Sequence, residues 1–399
     1  MLHLELSNQI NEKEILFTKI KGLKKRQINS WFVVLNFKEE KKCFFFYSIV
    51  LNLYIRFCEK QFAMRKIFTV VSLMSLSFAY SQVGGKDAYQ FLQIPTSPKQ
   101  AALGGRNVTI TGNEVNQVNY NPAALNASMD RMLAINFGKF YGDVNLGSAA
   151  YAHKMKNERS FHVGVTYLDY GTIAGYDENG VATGNFSGND VAVSVGYAHP
   201  IQNSNFTIGA NLKAISSSLE QYNSFAVAAD IGGLYHDDES GWTAGLVFMN
   251  LGGQLSSYHD TRETLPFEIA FGLSKLLENV PIRWHFTMEN LQQWDLTFSN
   301  PNRSQQGLDG TITEEKVGFG NNLLRHMVLG IELFPENNFN LRIGYNFRNG
   351  EEMKLLEHRH FAGFSAGFGL KMKRFRIEYA HNRYTLAGNT NLFGLSVQL

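Results

Sequence analysis

From Arg131 to Leu399 apolar and polar side chains alternate with a period of two, the pattern of strands whose two faces meet different surroundings. Phe161, Val163, Val165 and Tyr167 form one apolar row, and Phe339, Leu341, Ile343, Tyr345 and Phe347 another. Read between turn clusters, the alternation predicts strands at Arg131–Phe140, Val144–Lys154, Ser160–Tyr170, Asp190–His199, Asn205–Leu219, Asn223–Tyr235, Gly241–Leu251, Leu265–Lys275, Ile282–Gln292, His326–Phe334, Phe339–Arg348, His360–Lys371, Arg374–Thr385 and Thr390–Leu399, about fourteen in all. Many are about ten residues long, the length a tilted strand needs to cross a bilayer core. Between the apolar positions stand groups that a wet lumen accepts, such as Arg376, Glu378 and Asn382 between Phe375, Ile377, Tyr379 and His381.

A soluble sandwich alternates in the same way, because one face of each sheet meets solvent. The connections discriminate. Every second linker is short: Met155–Arg159, Pro200–Ser204, His236–Ser240, Leu276–Pro281, Pro335–Asn338 and Met372–Lys373. The long ones, Gly171–Asn189, Gly252–Thr264, Trp294–Arg325 and Asn349–Arg359, all fall in the other set. Short periplasmic turns and long outer loops characterise transmembrane barrels. The expected class is therefore all-β, a transmembrane antiparallel β-barrel of about fourteen strands, with outer-membrane lipid against its apolar face and the outer membrane as its location. Phe393, Leu395, Val397 and Leu399 carry the alternation to the last residue and are expected to form the closing strand. Such an end resembles the signal read by the barrel assembly machinery, although Leu stands where Phe is more usual.

Composition agrees with strands. The chain has 8 prolines against 36 glycines, 31 phenylalanines and 17 tyrosines, a bias toward aromatic strand residues with small residues between them. Its mean hydropathy of -0.19 does not exclude a membrane, because lipid-facing and lumen-facing residues average out. A net charge of +2 offers no basic face for nucleic acid.

The beginning of the chain reads differently. Residues 64–82 have the three parts of a secretory signal: a basic start at Arg65 and Lys66, an apolar run from Ile67 to Phe78, and small residues at Ala79 and Ser81. Cleavage between Ser81 and Gln82 is expected. A signal is read at an N-terminus, so translation is expected to begin at Met64, with residues 1–63 a mis-set start outside the mature protein. Both cysteines, Cys43 and Cys58, lie in that stretch, so the mature chain would have neither a disulfide nor a thiol nucleophile.

Gln82–Asp130 lacks alternation and is rich in Ala, Gly and Asn, which suggests a structured hatch or plug ahead of a barrel at 131–399. Gly104 and Gly105 permit a tight turn or a close backbone approach. Pro122 biases Asn121 away from helix, and Asn121-Pro122-Ala123 can open a helical turn. The run Phe91-Leu92-Gln93-Ile94-Pro95, with Ala101-Ala102-Leu103-Gly104-Gly105 and Asn121-Pro122-Ala123-Ala124-Leu125, resembles the start of the PorV/PorQ proteins of the type IX secretion system. These are themselves similar to FadL-type transporters of hydrophobic compounds. The likeness continues through Tyr170-Gly171-Thr172-Ile173, Asp177, Gly180, Gly184, Phe186 and Asp190.

The resemblance implies a fourteen-stranded barrel with an internal hatch. It also implies a non-enzymatic, PorQ-like role in which the barrel anchors or docks a surface partner of the cargo-attachment complex, PorZ-like with PorU- and PorV-like proteins. Gly171–Asn189 and Trp294–Arg325 would then be the docking loops. The alternative is a FadL-like transporter of hydrophobic small molecules. No cofactor, metal or catalytic group is expected. His236-Asp237-Asp238-Glu239 lies in a short turn and His358-Arg359-His360 in a long polar loop, both more simply solvated, and no nucleophile elbow, zinc-helix motif or phosphate loop occurs. Tyr167, Trp242, Trp284, Tyr379 and Tyr384 are expected as interfacial anchors.

Overall fold

A computed structural model describes residues 87–140, 142–155, 159–296, 318–353, 362–383 and 388–399, with the backbone alone of 305–306 and 312–313. The expected signal, its cleavage site at Ser81 and Gln82, residues 1–63, Tyr384 and the His358-Arg359-His360 group lie outside the described residues.

Fourteen antiparallel strands close into a barrel. They are β1 (Met132–Lys139), β2 (Asn145–Lys154), β3 (Ser160–Tyr176), β4 (Ala182–Pro200), β5 (Phe206–Leu219), β6 (Tyr222–His236) and β7 (Trp242–Ser256). Then follow β8 (Glu268–Leu276), β9 (Ile282–Met288), β10 (Met327–Leu333), β11 (Phe339–Asn346), β12 (Phe364–Met372), β13 (Phe375–Arg383) and β14 (Asn389–Gln398). Each strand pairs with its neighbours in sequence, and β14 closes on β1 with Phe137 opposite Phe393, Ile135 opposite Leu395 and Leu133 opposite Val397. Leu399 ends the seam by donating its N–H to the Arg131 carbonyl at 2.9 Å.

The alternation decides which face is which. On β1, Ile135 and Phe137 are 53% and 51% exposed while Ala134 and Asn136 are buried. The same phase holds around the barrel: Val163, Val195, Leu212, Ile231, Ile343, Ile377 and Phe393 face outward, and His162, Asn211, Asp230, Glu332, Arg342 and Glu378 face inward. A closed barrel satisfies every interior ladder bond, and an unbroken outer belt of aliphatic and aromatic side chains leaves hydrocarbon as its solvent. This is an outer-membrane barrel. Among the described residues no helix is long and apolar enough to cross a membrane. At the turn-bearing rim, Trp242 and Trp284 meet edge to face at 5.5 Å, with the Lys275 ammonium 5.1 Å from the Trp242 ring, an amphipathic anchor suited to the interface.

Three expected boundaries are corrected. Gly171–Asn189 is not a plain loop: β3 runs on to Tyr176 and β4 begins at Ala182, paired through register shifts after Asp169 and Gly175. The glycines and polar residues there conceal strand continuation, because a ribbon standing clear of the bilayer needs no lipid-facing row. The stretch from Gly252 is likewise strand as far as Ser256, held by β6, whereas β9 stops at Met288, short of the expected Gln292.

Residues 87–130 fold inside the barrel. A helical turn, α1 (Pro98–Ala102), is capped by the Ser97 side chain, which accepts from Gln100 N–H at 3.4 Å. Gly104 and Gly105, at φ 98° and 143°, reverse the chain after it. Asn121-Pro122-Ala123 forms a tight turn at Pro122–Ala124, with the Asn121 side chain accepting from Ala123 N–H at 3.0 Å. Gln100, Asn107 and Gln117 knot the hatch together: Gln100 and Gln117 donate to the Asn107 carbonyl at 2.9 and 2.8 Å.

Candidate functional site

The lumen has two unlike halves. The inner half is ion-paired. Glu332 on β10 lies 3.1 Å from Lys99 of α1 and 3.1 Å from Arg342 on β11, with Arg283 and His285 on β9 at 3.8 and 3.9 Å. Arg342 also reaches Glu378 on β13 at 2.7 Å. Two further bridges join hatch to wall: Arg106 to Glu268 on β8, with Glu289 at 3.6 Å, and Glu114 to Arg376 at 3.3 Å. The charged groups in these contacts are mostly buried, and their alternatives to pairing are poor. Burial pushes the Lys99 ammonium below its ordinary value, against the pull of Glu332 and Glu114. Burial opposes the Arg106 charge too, but Glu268 and Glu289 outweigh it and raise its pKa. Burial and then Glu378 raise the Glu114 carboxyl.

Backbone fits backbone where the hatch meets the wall. Gly344 on β11 stands against Leu103 and Gly104, and Gly330 on β10 against the Leu103 carbonyl. Across the lumen, Gly209 on β5 and Gly232 on β6 stand against the Asn121-Pro122-Ala123 turn. Asn121 Nδ2 donates to the Val108 carbonyl at 2.9 Å. The five hatch residues singled out in the sequence thus fall at two opposite contacts of hatch and wall. The inward glycines that receive them are a signal that alternation alone passes over.

The outer half of the lumen holds an apolar cluster. Tyr89 and Phe91 of the hatch pack with Leu168, Ala192, Ile215, Ala226 and Leu392 of the wall and with Leu265 of the β7–β8 loop. A cavity of about 30 Å³ remains between hatch and wall, lined by Phe91, Ile94, Tyr120, Thr166, Ala192 and Lys213. That holds a water or two but no organic solute.

Beside this cluster the wall has a seam. β7 pairs with β8 only up to Met249 opposite Glu268, and its outer part, Asn250–Ser256, pairs with β6 alone. The returning limb of the loop is held there by side-chain amides. Asn250 Nδ2 donates to the Pro266 carbonyl at 2.9 Å, and Gln254 Oε1 accepts from Glu263 N–H at 2.7 Å. The same limb grips the leading end of the hatch, through a parallel bridge between Asp87 and Thr264 and a hydrogen bond from Ala88 N–H to the Thr264 carbonyl at 2.9 Å.

Among the described residues no group of three or more His, Cys, Asp or Glu is arranged to hold a metal ion. In the His236–Glu239 turn, Asp237 instead accepts from Ser240 Oγ at 2.6 Å and Glu239 N–H at 3.2 Å.

No protein-family model matches the chain, and no curated protein sequence does. Among the solved structures to which the chain is similar are a transporter, a FadL homologue, a hydrocarbon channel and a porin. The toluene transporter TodX of Pseudomonas putida is 12% identical, with 79% of this chain and 98% of that one covered and a TM-score of 0.46. A FadL homologue of Pseudomonas aeruginosa is 10% identical, with 76% and 98% covered and a TM-score of 0.45. The monoaromatic hydrocarbon channel CymD gives 11%, 76%, 97% and 0.42. The expected kinship with PorV/PorQ proteins finds no support among these matches.

Proposed function

We propose that this barrel passes apolar small molecules across the outer membrane, with the hatch as its gate. The observation that carries the reading is the apolar cluster that fills the outer lumen, in which Tyr89 and Phe91 of the hatch pack against the wall and against Leu265 at the seam, so that movement of the hatch would open an apolar space. An apolar solute loses little by entering such a space. Going straight on would take it past the buried charges around Glu332 and Arg106, where an apolar body offers them no partner. The β7–β8 seam is an exit that bypasses the Glu332 group, and side-chain amides give way at less cost than a strand ladder.

The hatch lead and the returning limb should therefore separate during transport. Residues 82–399 contain no cysteine, so an Asp87→Cys, Thr264→Cys pair is free of competing thiols. Neighbouring strands lie roughly 4.8 Å apart, within disulfide reach. Cells producing this variant should take up a labelled aromatic hydrocarbon at the wild-type rate when reduced and at the rate of a strain lacking the gene when oxidised. Unimpaired uptake after complete cross-linking would exclude the gate.

Docking of a type IX surface partner is the second reading. It rests on the resemblance of residues 91–125 and 170–190, and it is favoured by the β3–β4 ribbon, whose tip leaves Tyr176 and Val181 65% and 62% exposed. The other expected docking loop, Trp294–Arg325, lies largely outside the described residues. Deleting 174–184 should then strip PorZ-like and cargo proteins from the cell surface while hydrocarbon uptake persists. An unchanged surface inventory would remove the basis for docking.

A further inference from the structure

One ring of inward positions sits at the edge of the apolar cluster, and its chemistry differs from what lies below. Leu168 on β3 faces Asp190 on β4, Asp190 faces Ser217 on β5, and Ser217 faces Ser224 on β6. The next positions inward, Thr166, Ala192, Ile215 and Ala226, are almost wholly apolar. Three tyrosines from three other places converge on the ring. Tyr170 donates to Asp190 at 2.6 Å, Tyr258 of the β7–β8 loop donates to Ser217 at 2.5 Å, and Tyr89 of the hatch shares a hydrogen bond with Ser224. Ser217 also donates to Asp190. Asp190, Ser217, Ser224 and Tyr89 are all at least nineteen-twentieths buried.

An apolar cluster beneath a hydroxyl-rich collar, opened by movement of the hatch, matches a molecule with an apolar body and a polar head. We infer that the collar selects the head group, admitting uncharged or cationic heads and rejecting carboxylates. The inference rests on the transport role proposed above. Asp190 supplies the one carboxylate of the ring, and none of the ring's four wall positions is Lys or Arg. The nearest inward cation on β5 is Lys213, and Asp230 at 2.8 Å and Asn250 at 3.0 Å already engage it. A carboxylate head would thus meet a like charge where little water screens it. An ammonium or hydroxyl head could take over the hydrogen bonds that Tyr170 and Ser217 now give to Asp190.

The test uses the barrel in lipid nanodiscs, with octanol, octylammonium and octanoate as probes of equal chain length and empty nanodiscs as the partition control. Octanol and octylammonium should bind, with octanoate weaker by about tenfold or more. Asp190→Asn, which keeps the size and the acceptor, should bring octanoate to within about twofold of octanol. Tyr170→Phe leaves the carboxylate in place and should keep the discrimination. If Asp190→Asn does not fold, as judged by gel mobility without heating, Asp190→Ser reads the same quantity. Octanoate binding as tightly as octanol, or discrimination unchanged without Asp190, would overturn the inference and leave the transport role standing. If none of the three probes bound above empty nanodiscs, the transport role itself would fall.

Discussion

Replacing Glu332 by Ala should cost about 3–5 kcal/mol in the stability of the hatched state, the range for removing one partner of a buried ion pair. Four basic side chains surround this carboxylate, from Lys99 at 3.1 Å to His285 at 3.9 Å. Arg342 retains Glu378 at 2.7 Å, but Lys99 loses the only acidic partner within bridging distance among the described residues. An ammonium buried without a partner is the costlier outcome, and the hatch carries it. The response should be withdrawal of α1 from the wall while the strand ladders stay intact. Cells with Glu332→Ala should therefore admit a large polar dye that the wild type excludes, and the purified barrel should keep its compact mobility on an unheated gel. A dye-tight Glu332→Ala variant would show that the bridge does not hold the hatch.

A second substitution separates the loss of attraction from the orphaned charge. Lys99→Met with Glu332→Ala removes both partners, and an apolar pair of similar volume can be neutral or even stabilising where the ion pair stood. The double variant should recover much of the dye exclusion that Glu332→Ala loses. The two effects should be strongly non-additive, as expected of groups in contact.

The division between what the sequence discloses and what it hides follows from the range of the interactions. Alternation is local: Phe339, Leu341, Ile343 and Tyr345 must share a face whatever lies beyond, so strand number, lipid face and closing strand are legible. The inward phase of Glu332, Arg342 and Glu378 is legible for the same reason. Their pairing is not. Lys99 meets a residue 233 positions later in the chain, and period two cannot say which inward carboxylate across a lumen receives it. The β3–β4 ribbon was hidden by a different cause, since clear of the lipid a strand needs no hydrophobic row. Nor does alternation reveal the collar, for Tyr89, Tyr170 and Tyr258 come from hatch, wall and loop.

Glycine is the residue through which the wall shows where the hatch lies, and Gly344→Ala should release the hatch by a route independent of charge. A Cβ at Gly344 would fall on the backbone of Leu103 and Gly104, and neither side can yield by turning a side chain. Gly104 has no room to retreat along the wall, because its own surroundings include Val328 and the Tyr345 and Leu329 backbone. The expected cost is about 3 kcal/mol, the upper end of what overpacking exacts, because the obstructing atoms are main chain. Gly147, which faces outward with nothing within 4 Å of an added Cβ, is the matched control, and Gly147→Ala should change stability by no more than about 0.5 kcal/mol. Limited proteolysis of intact barrels should cut 106–130 in Gly344→Ala and spare it in Gly147→Ala. The decisive comparison is with Glu332→Ala. Both changes act on the α1 segment, one by removing its bridge and one by occupying its seat, so either alone should open the lumen and the pair should leak little more than the worse of the two. Additive leakage would mean that charge and close fit hold different parts of the hatch. In that case the Lys99–Glu332 bridge and the Gly104–Gly344 contact would be two latches rather than one.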